Sequence, residues 1–242
     1  MIWVLTVIVL AAFAVEATLG FGATLVAVTL GAFVVPLNTL LPPFVLLNLG
    51  LSAWIVLRDR PHVRWTYLGR KVIPWMVFGV PLGVWAVARL DGALLLHALG
   101  VFVLALSLQE LLRRRFTAAA RRSALPPAAS AALLWLGGAL HGAFAAGGPL
   151  AIYVAGRDLP DKDSFRATLS TLWLLLNGLL AVSYASMGLV TATSVKLVAA
   201  TGPSLALGIA VGEWAHRRVP VEAFQRLTFT ALAAAGLVLA LR

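Results

Sequence analysis

The sequence predicts an all-α polytopic membrane protein built from two inverted-topology repeats, each a broken-helix hairpin plus three transmembrane helices. Three observations carry that expectation: an apolar composition, apolar segments that recur at bilayer length, and a letter-by-letter correspondence between the two halves. Of 242 residues, 61% are hydrophobic and only 12% charged, and the mean hydropathy is +0.96. So little polar surface cannot wet a soluble globule of this size, so lipid is the expected solvent. A hydrocarbon core of about 30 Å is crossed by about 20 helical residues. Apolar segments suited to that thickness lie at 2–35, 38–57, 71–89, 92–112, 128–156, 165–187, 193–215 and 221–241, with charges between them.

The first segment, 2–35, is too long for one crossing and is interrupted at Gly20-Phe21-Gly22. It lacks the basic n-region of a signal peptide and runs on into further apolar sequence, so it is read as structure. The next three segments are simple spans. The stretch 113–127 carries Arg113-Arg114-Arg115, Arg121-Arg122 and Pro126-Pro127, cannot enter hydrocarbon, and divides a first repeat (1–112) from a second (128–242) as a basic cytoplasmic linker. Segment 128–156 is again interrupted, at Ala145-Ala146-Gly147-Gly148-Pro149, and three simple spans follow.

At an offset of 129, Leu46-Leu47-Asn48 falls on Leu175-Leu176-Asn177, Pro74 on Pro203, Gly79 on Gly208, Gly83 on Gly212, Trp85 on Trp214 and Arg89 on Arg218. In the interrupted segments the offset is 125, which places Gly22 on Gly147 and Glu16 on His141. Shared membrane composition would match Leu and Ala, but seldom Asn, Pro and Trp together, so the halves read as a duplication. The positive-inside rule then sets their relation. If each interrupted segment turns back to its starting side, 16 of the 19 Lys and Arg collect on one face, leaving Arg89, Lys196 and Arg242 opposite. Single crossings give a much weaker split of 12 against 7. Turning back implies an odd number of crossings per half, inverted repeats and two periplasmic termini.

Inverted repeats with broken helices place a small guest near the midplane, where interrupted backbone lines a cavity. Gly22, Ala23 and Thr24 at the first interruption, and Gly147, Gly148 and Pro149 at the second, would each start a returning half-helix. Its unpaired N–H groups and partial positive charge suit a small anion. Glu16 and His141, ionisable within apolar sequence, are candidates for binding a coupling proton. Asn48 and Asn177 sit mid-helix as candidate substrate ligands that could equally join helices. Ser52, Thr168, Ser170 and Thr171 rank lower, because membrane hydroxyls mostly bond back to their own helix. Arg166, beside Asp161 and Asp163, could draw an anion into an entry vestibule. Gly79-x-x-x-Gly83 and Gly208-x-x-x-Gly212 read as close helix contacts, and the eight Trp mainly as interface anchors or packing.

Other chemistries lack their residues. The formal charge of +10 sits at segment ends rather than on a nucleic-acid-binding stripe. The absence of cysteine removes thiolate and disulfide chemistry. Neither a phosphate loop, a His-Glu-x-x-His helix nor a nucleophile elbow is present, so the chain reads as no enzyme and needs no cofactor or metal.

The order of these features resembles the sulfite exporter TauE/SafE family of small bacterial membrane permeases. The resemblance rests on Gly20-Phe21-Gly22-Ala23, the turn from Pro36 to Pro43, Asn48, the basic loop 58–71 and Gly79-x-x-x-Gly83. It continues through Gly147-Gly148-Pro149, Phe165-Arg166-Ala167-Thr168 and Gly208-x-x-x-Gly212. Family members often carry a richer glycine run where this chain has Ala23. The resemblance implies secondary export of sulfite, an organosulfonate or a related small anion across a bacterial inner membrane, with protons as coupling ion. An anion channel of the same architecture is the alternative, and a membrane enzyme or assembly factor a more distant one.

Overall fold

The structure is a computed structural model and describes residues 2–19, 22–113, 125–159, 161–218 and 221–241. Gly20 and Phe21 of the first interruption, and most of the basic linker 113–127, lie outside the described residues. Among the described residues every regular element is helical: α1 (Ile2–Leu19), α2 (Ala23–Gly31), α3 (Leu37–Asp59), a 3-10 turn (Arg60–His62), α4 (Trp65–Tyr67), a π turn (Leu68–Val72), α5 (Ile73–Arg89), α6 (Gly92–Arg113), α7 (Pro127–Phe144), α8 (Gly148–Asp158), α9 (Lys162–Ser186), α10 (Ala192–Arg218) and α11 (Val221–Ala240).

Glycine and proline punctuate these helices as their chemistry requires. Gly22 takes a left-handed conformation at φ 105° just before α2, which a side chain would strain. Pro42 and Pro43 fall in the first two turns of α3, and Pro126-Pro127 open α7. The π turn ends just before Pro74, whose ring and missing N–H disfavour the ordinary helical ladder at that point. Despite that turn, 65–89 forms one apolar rod.

Among the described residues, five helical stretches are long and apolar enough to cross a membrane: Leu37–His62, Trp65–Arg89, Gly92–Leu112, Asp163–Ser186 and Ala192–Ala215. The surface fits that solvent. Phe78 is 74% exposed and Val182 68%, while Glu16, Asn48, His141 and Asn177 are buried. This inside-out distribution suits a polytopic membrane protein, where lipid covers apolar side chains and polar groups retreat inward.

The chain divides into two compact units, each drawing on both halves of the sequence. One comprises 1–44, 90–117 and 189–242. In it α1 packs along α10, α6 along α11, and α2 folds back on α1. Leu5 near the start of α1 packs with Val35 and Leu40, so the chain returns after α2 to the end from which α1 set out. Gly208 lies against the Leu10 carbonyl, and Gly212 against the Ala14 carbonyl and the Ala17 Cβ. Thr18 Oγ1 donates to the carbonyls of Ala14 at 2.7 Å and Gly212 at 3.0 Å, fastening the two helices.

The other unit comprises 45–89 and 118–188. Here α5 packs along α7 so closely that a Cβ on Gly79 would strike the Trp135 carbonyl, and one on Gly83 the Ala139 carbonyl. Gly138 and Gly142 meet Met76 and Val80 in the same way from the α7 side. Both Gly-x-x-x-Gly pairs therefore mark backbone-to-backbone contacts, as their spacing predicts. The short arm α8 folds back on α7, with Gly137 against Gly147 and Leu150. At a rise of about 1.5 Å per residue, α2 and α8 span roughly half of a hydrocarbon core.

Candidate anion site at the broken helices

Both long apolar segments break where the sequence predicts, but the two turns are made differently. In the second hairpin the left-handed residue is Ala145, at φ 52°, with its N–H bonded to the His141 carbonyl at 2.7 Å. Gly147 is right-handed at φ -71°. Its lack of a side chain answers to space, because a Cβ there would overlap the Gly137 carbonyl and come within 2.8 Å of the His141 Cβ. Ala145 rather than a glycine therefore takes the left-handed turn conformation, and Gly147 lets α8 press against α7.

The two helix starts also differ. Ala23 N–H donates to Glu16 Oε2 at 3.0 Å, within the buried first hairpin, so a carboxylate already sits at the positive end of α2. The helical ladder follows at once, with Val26 N–H to the Gly22 carbonyl at 3.0 Å. Thr24 is half-buried on the first turn. At the start of α8, among the described residues, no side chain accepts from the first N–H groups, and Pro149 stands within the first two positions and offers no N–H.

Around that uncapped start lies a buried polar cluster. His141, only 2% exposed, stacks on the Trp173 ring at 5.9 Å between centroids and 17° between planes. The same indole edge stands 3.7 Å from where a Gly148 Cβ would be. The Asn177 carboxamide is the polar neighbour of His141, yet neither ring nitrogen nor Asn177 Oδ1 makes a hydrogen bond of good geometry. Asn177 Nδ2 donates to Asn48 Oδ1 at 2.8 Å, and Ser52 Oγ donates to the same oxygen at 3.2 Å. The two matched asparagines are thus bonded to each other, and Asn177 keeps an unmet acceptor. A buried polar atom without a partner forfeits its hydration, which makes these atoms natural contacts for a guest.

The remaining candidates form a separate polar layer at one end of the same unit. Thr168 Oγ1 accepts from Arg64 N–H at 3.0 Å, and Arg64 Nε donates to Ser164 Oγ at 3.1 Å. Thr171 bonds back to the Ala167 carbonyl at 2.8 Å. Arg166, about one-third exposed, faces Asp59 at 3.9 Å rather than its neighbouring aspartates. Asp161 instead caps α9, accepting from Ser164 N–H at 2.9 Å. The Ser164 hydroxyl, and after it this backbone bond, hold the Asp161 carboxyl below the usual range. Lys71 and Tyr67 both reach Asp158 at the end of α8, at 2.8 and 2.9 Å.

Trp173 is the cluster member that residue type alone assigns elsewhere. Seven of the eight Trp are substantially exposed, fitting lipid anchors, whereas Trp173 is 6% exposed. Its signal was present in the sequence: it lies four residues before Asn177, on the same helical face.

Comparison with known proteins agrees with this architecture. No solved structure matches the chain. A curated relative, the probable inner membrane transporter protein TsaS of Comamonas testosteroni, is 29% identical over 179 residues, covering 74% of this chain and 73% of the relative. The family model for the sulfite exporter TauE/SafE matches residues 4–239. With that match spanning nearly its whole length, the chain belongs to the sulfite exporter TauE/SafE family of membrane transporters.

Proposed function

We propose that this protein is a secondary transporter that exports a small anion, sulfite or an organosulfonate, across a bacterial inner membrane. The observation that carries the reading is the uncapped start of α8 beside the unmet nitrogens of buried His141. Backbone N–H groups, a helix dipole and a ring N–H can hold an oxyanion without a buried Lys. The family name points to the same substrate class, and the TsaS relative is likewise a probable inner membrane transporter.

Transport works by alternating access around the two hairpin tips, and the repeats are inverted. Three features support this. Gly79 and Gly83 meet Trp135 and Ala139, while Gly208 and Gly212 meet Leu10 and Ala14, so the offsets of 129 and 125 relate contacts as well as letters. The return of Val35 onto Leu5 favours a hairpin that turns back, and with it the 16-to-3 charge split that puts both termini outside. Each repeat, 1–112 and 128–242, lends its hairpin's long arm to a helix of the other: α1 to α10 and α7 to α5.

Protons drive export, with Glu16 and His141 as the buried titratable groups of the hairpins. The described charged residues on α10, which packs on Glu16's helix, are Lys196, Glu213 and Arg218. Arg166 guides anions at the inner entry. Purified protein in liposomes should then move sulfite or a small sulfonate saturably and uphill under an imposed proton gradient. Glu16→Gln should alter the pH dependence of that flux. Purely passive conduction would favour a channel, and failure to move any small anion would overturn the reading.

A further inference from the structure

The repeat offset of 125 superposes Glu16 on His141 and Ala23 on Gly148. In the first hairpin the Glu16 carboxylate accepts the Ala23 N–H at 3.0 Å, so an oxyanion is already bound to the start of α2. In the second hairpin, among the described residues, no side chain accepts from the first N–H groups of α8, and the side chain that corresponds to Glu16 is His141, 2% exposed, with Asn177 as its polar neighbour and neither ring nitrogen in a hydrogen bond of good geometry. One half thus contains an anion and the other contains donors without one. We infer that the hairpins are functionally unequal: the transported oxyanion binds only at the second, between the start of α8 and His141, in the place that Glu16 fills at the first.

This assignment rests on the anion-transport reading and narrows it. The pairing of Ala23 with Glu16 shows how a helix start of this architecture holds an oxyanion, with one oxygen on the first N–H of the returning arm. A guest at the second hairpin would take the Gly148 N–H with one oxygen and a His141 ring N–H with another. Fixed directional donors of this kind favour trigonal or tetrahedral oxyanions over halides. Carboxylates, sulfite and sulfonates share this chemistry. Trp173, in contact with His141 and facing Gly148, supplies an apolar wall on one side of the seat. A second guest at the first hairpin would have to displace the chain's own carboxylate, so binding of one anion per chain is expected.

Equilibrium binding of radiolabelled sulfite to the full chain in lipid nanodiscs tests this, alongside acetate and methanesulfonate as competitors and chloride as the contrasting anion. The wild type should bind one sulfite per chain, displaced by the oxyanions more effectively than by chloride. His141→Ala should weaken binding by about tenfold or more, as expected for a lost charge-assisted hydrogen bond, and His141→Gln, which keeps a donor, should recover part of it. Glu16→Gln, which can still accept the Ala23 N–H, should still bind one sulfite per chain. Two sulfites per chain, or a site lost with Glu16→Gln and untouched by His141→Ala, would overturn the inequality while leaving anion transport standing. A wild type that neither binds nor moves any of these anions would remove the transport reading itself.

Discussion

The two hairpins solve one geometric problem with different residues. Each must stop a membrane helix in mid-run, reverse, and begin a half-helix whose first N–H groups lack partners. The first hairpin reaches its left-handed residue with Gly22 and satisfies a helix start with a carboxylate seven residues upstream. The second places Ala145 in the left-handed region and, among the described residues, has no side chain on its helix start, with the unmet ring nitrogens of His141 beside it. Among the described residues, the left-handed position is a glycine in the first hairpin and an alanine in the second, and a carboxylate accepts from a helix-start N–H only in the first. Strain and unmet polar atoms persist where function offsets them, which is the ground for inferring the anion site at the second hairpin.

The largest separation between the hairpins should come from adding a methyl group at equivalent glycines. A Cβ on Gly147 has the Gly137 carbonyl in its way, and backbone cannot yield as a side-chain tip can. Gly147→Ala should therefore cost about 3 kcal/mol and lower the melting temperature sharply in detergent. A Cβ on Gly22 meets only Val15 Cγ1, at an ordinary 3.5 Å. Gly22→Ala should cost only the left-handed conformation, about 1–2 kcal/mol. If Gly22→Ala proves the more damaging, the division into a spatial glycine and a conformational one is wrong.

Next in size is the asparagine pair that serves the second hairpin. Replacing Asn48 with Leu removes the 2.8 Å bond from Asn177 and leaves both ends of that amide unmet. A loss of about 2 kcal/mol follows, and adding Asn177→Leu should restore part of it, since no unpaired Asn177 amide is then left buried, although the Ser52 hydroxyl has still lost its acceptor. Additive losses in this double-mutant cycle would show that the pair does not act as a unit. Smaller again, and opposite in sign, is Ala145→Gly. Releasing a non-glycine residue from φ 52° should stabilise the protein by about 1 kcal/mol or less, after the extra entropy of glycine in the unfolded chain. The same change at a right-handed position such as Ala146 should destabilise.

Much of this was legible before any coordinates. Both helix breaks and the glycine contacts follow from punctuation and from a repeat that matches uncommon residues, whereas the bond between Asn48 and Asn177 shows only in three dimensions. What stayed hidden depends on the third dimension. Glycine at a break says that small size matters, but not whether the reason is φ, as at Gly22, or space, as at Gly147. Glu16 reads as a buried titratable group, and only geometry reveals that it occupies a helix start. Trp173 reads like seven other tryptophans until its burial sets it apart. Nor can a linear sequence announce that α1 packs on α10 and α7 on α5, since exchange of hairpins between halves leaves no local mark.

A third helix start calibrates the other two and carries the smallest effect. Helix α9 opens on Asp161, whose carboxylate accepts the Ser164 N–H at 2.9 Å, the ordinary local cap that α2 replaces with a distant residue and α8 lacks. The cap holds the Asp161 carboxyl below its usual range, first through the Ser164 hydroxyl and then through its backbone N–H. A depressed carboxyl stabilises the fold above its unfolded pKa of about 3.9 and loses that contribution as pH falls through the lower folded value. Because Asp161 is solvent-exposed, the gain is small and screened. Asp161→Ala should lower the melting temperature slightly at neutral pH, Asp161→Asn should retain most of the cap, and the gap between wild type and Asp161→Asn should close in strong acid. Sulfite affinity should remain at the wild-type level in both variants, because a satisfied helix start away from the hairpins has no part in holding the anion. A fall in affinity comparable to that of His141→Ala would mean that any loosened helix start perturbs binding, and the special standing of the second hairpin would be lost.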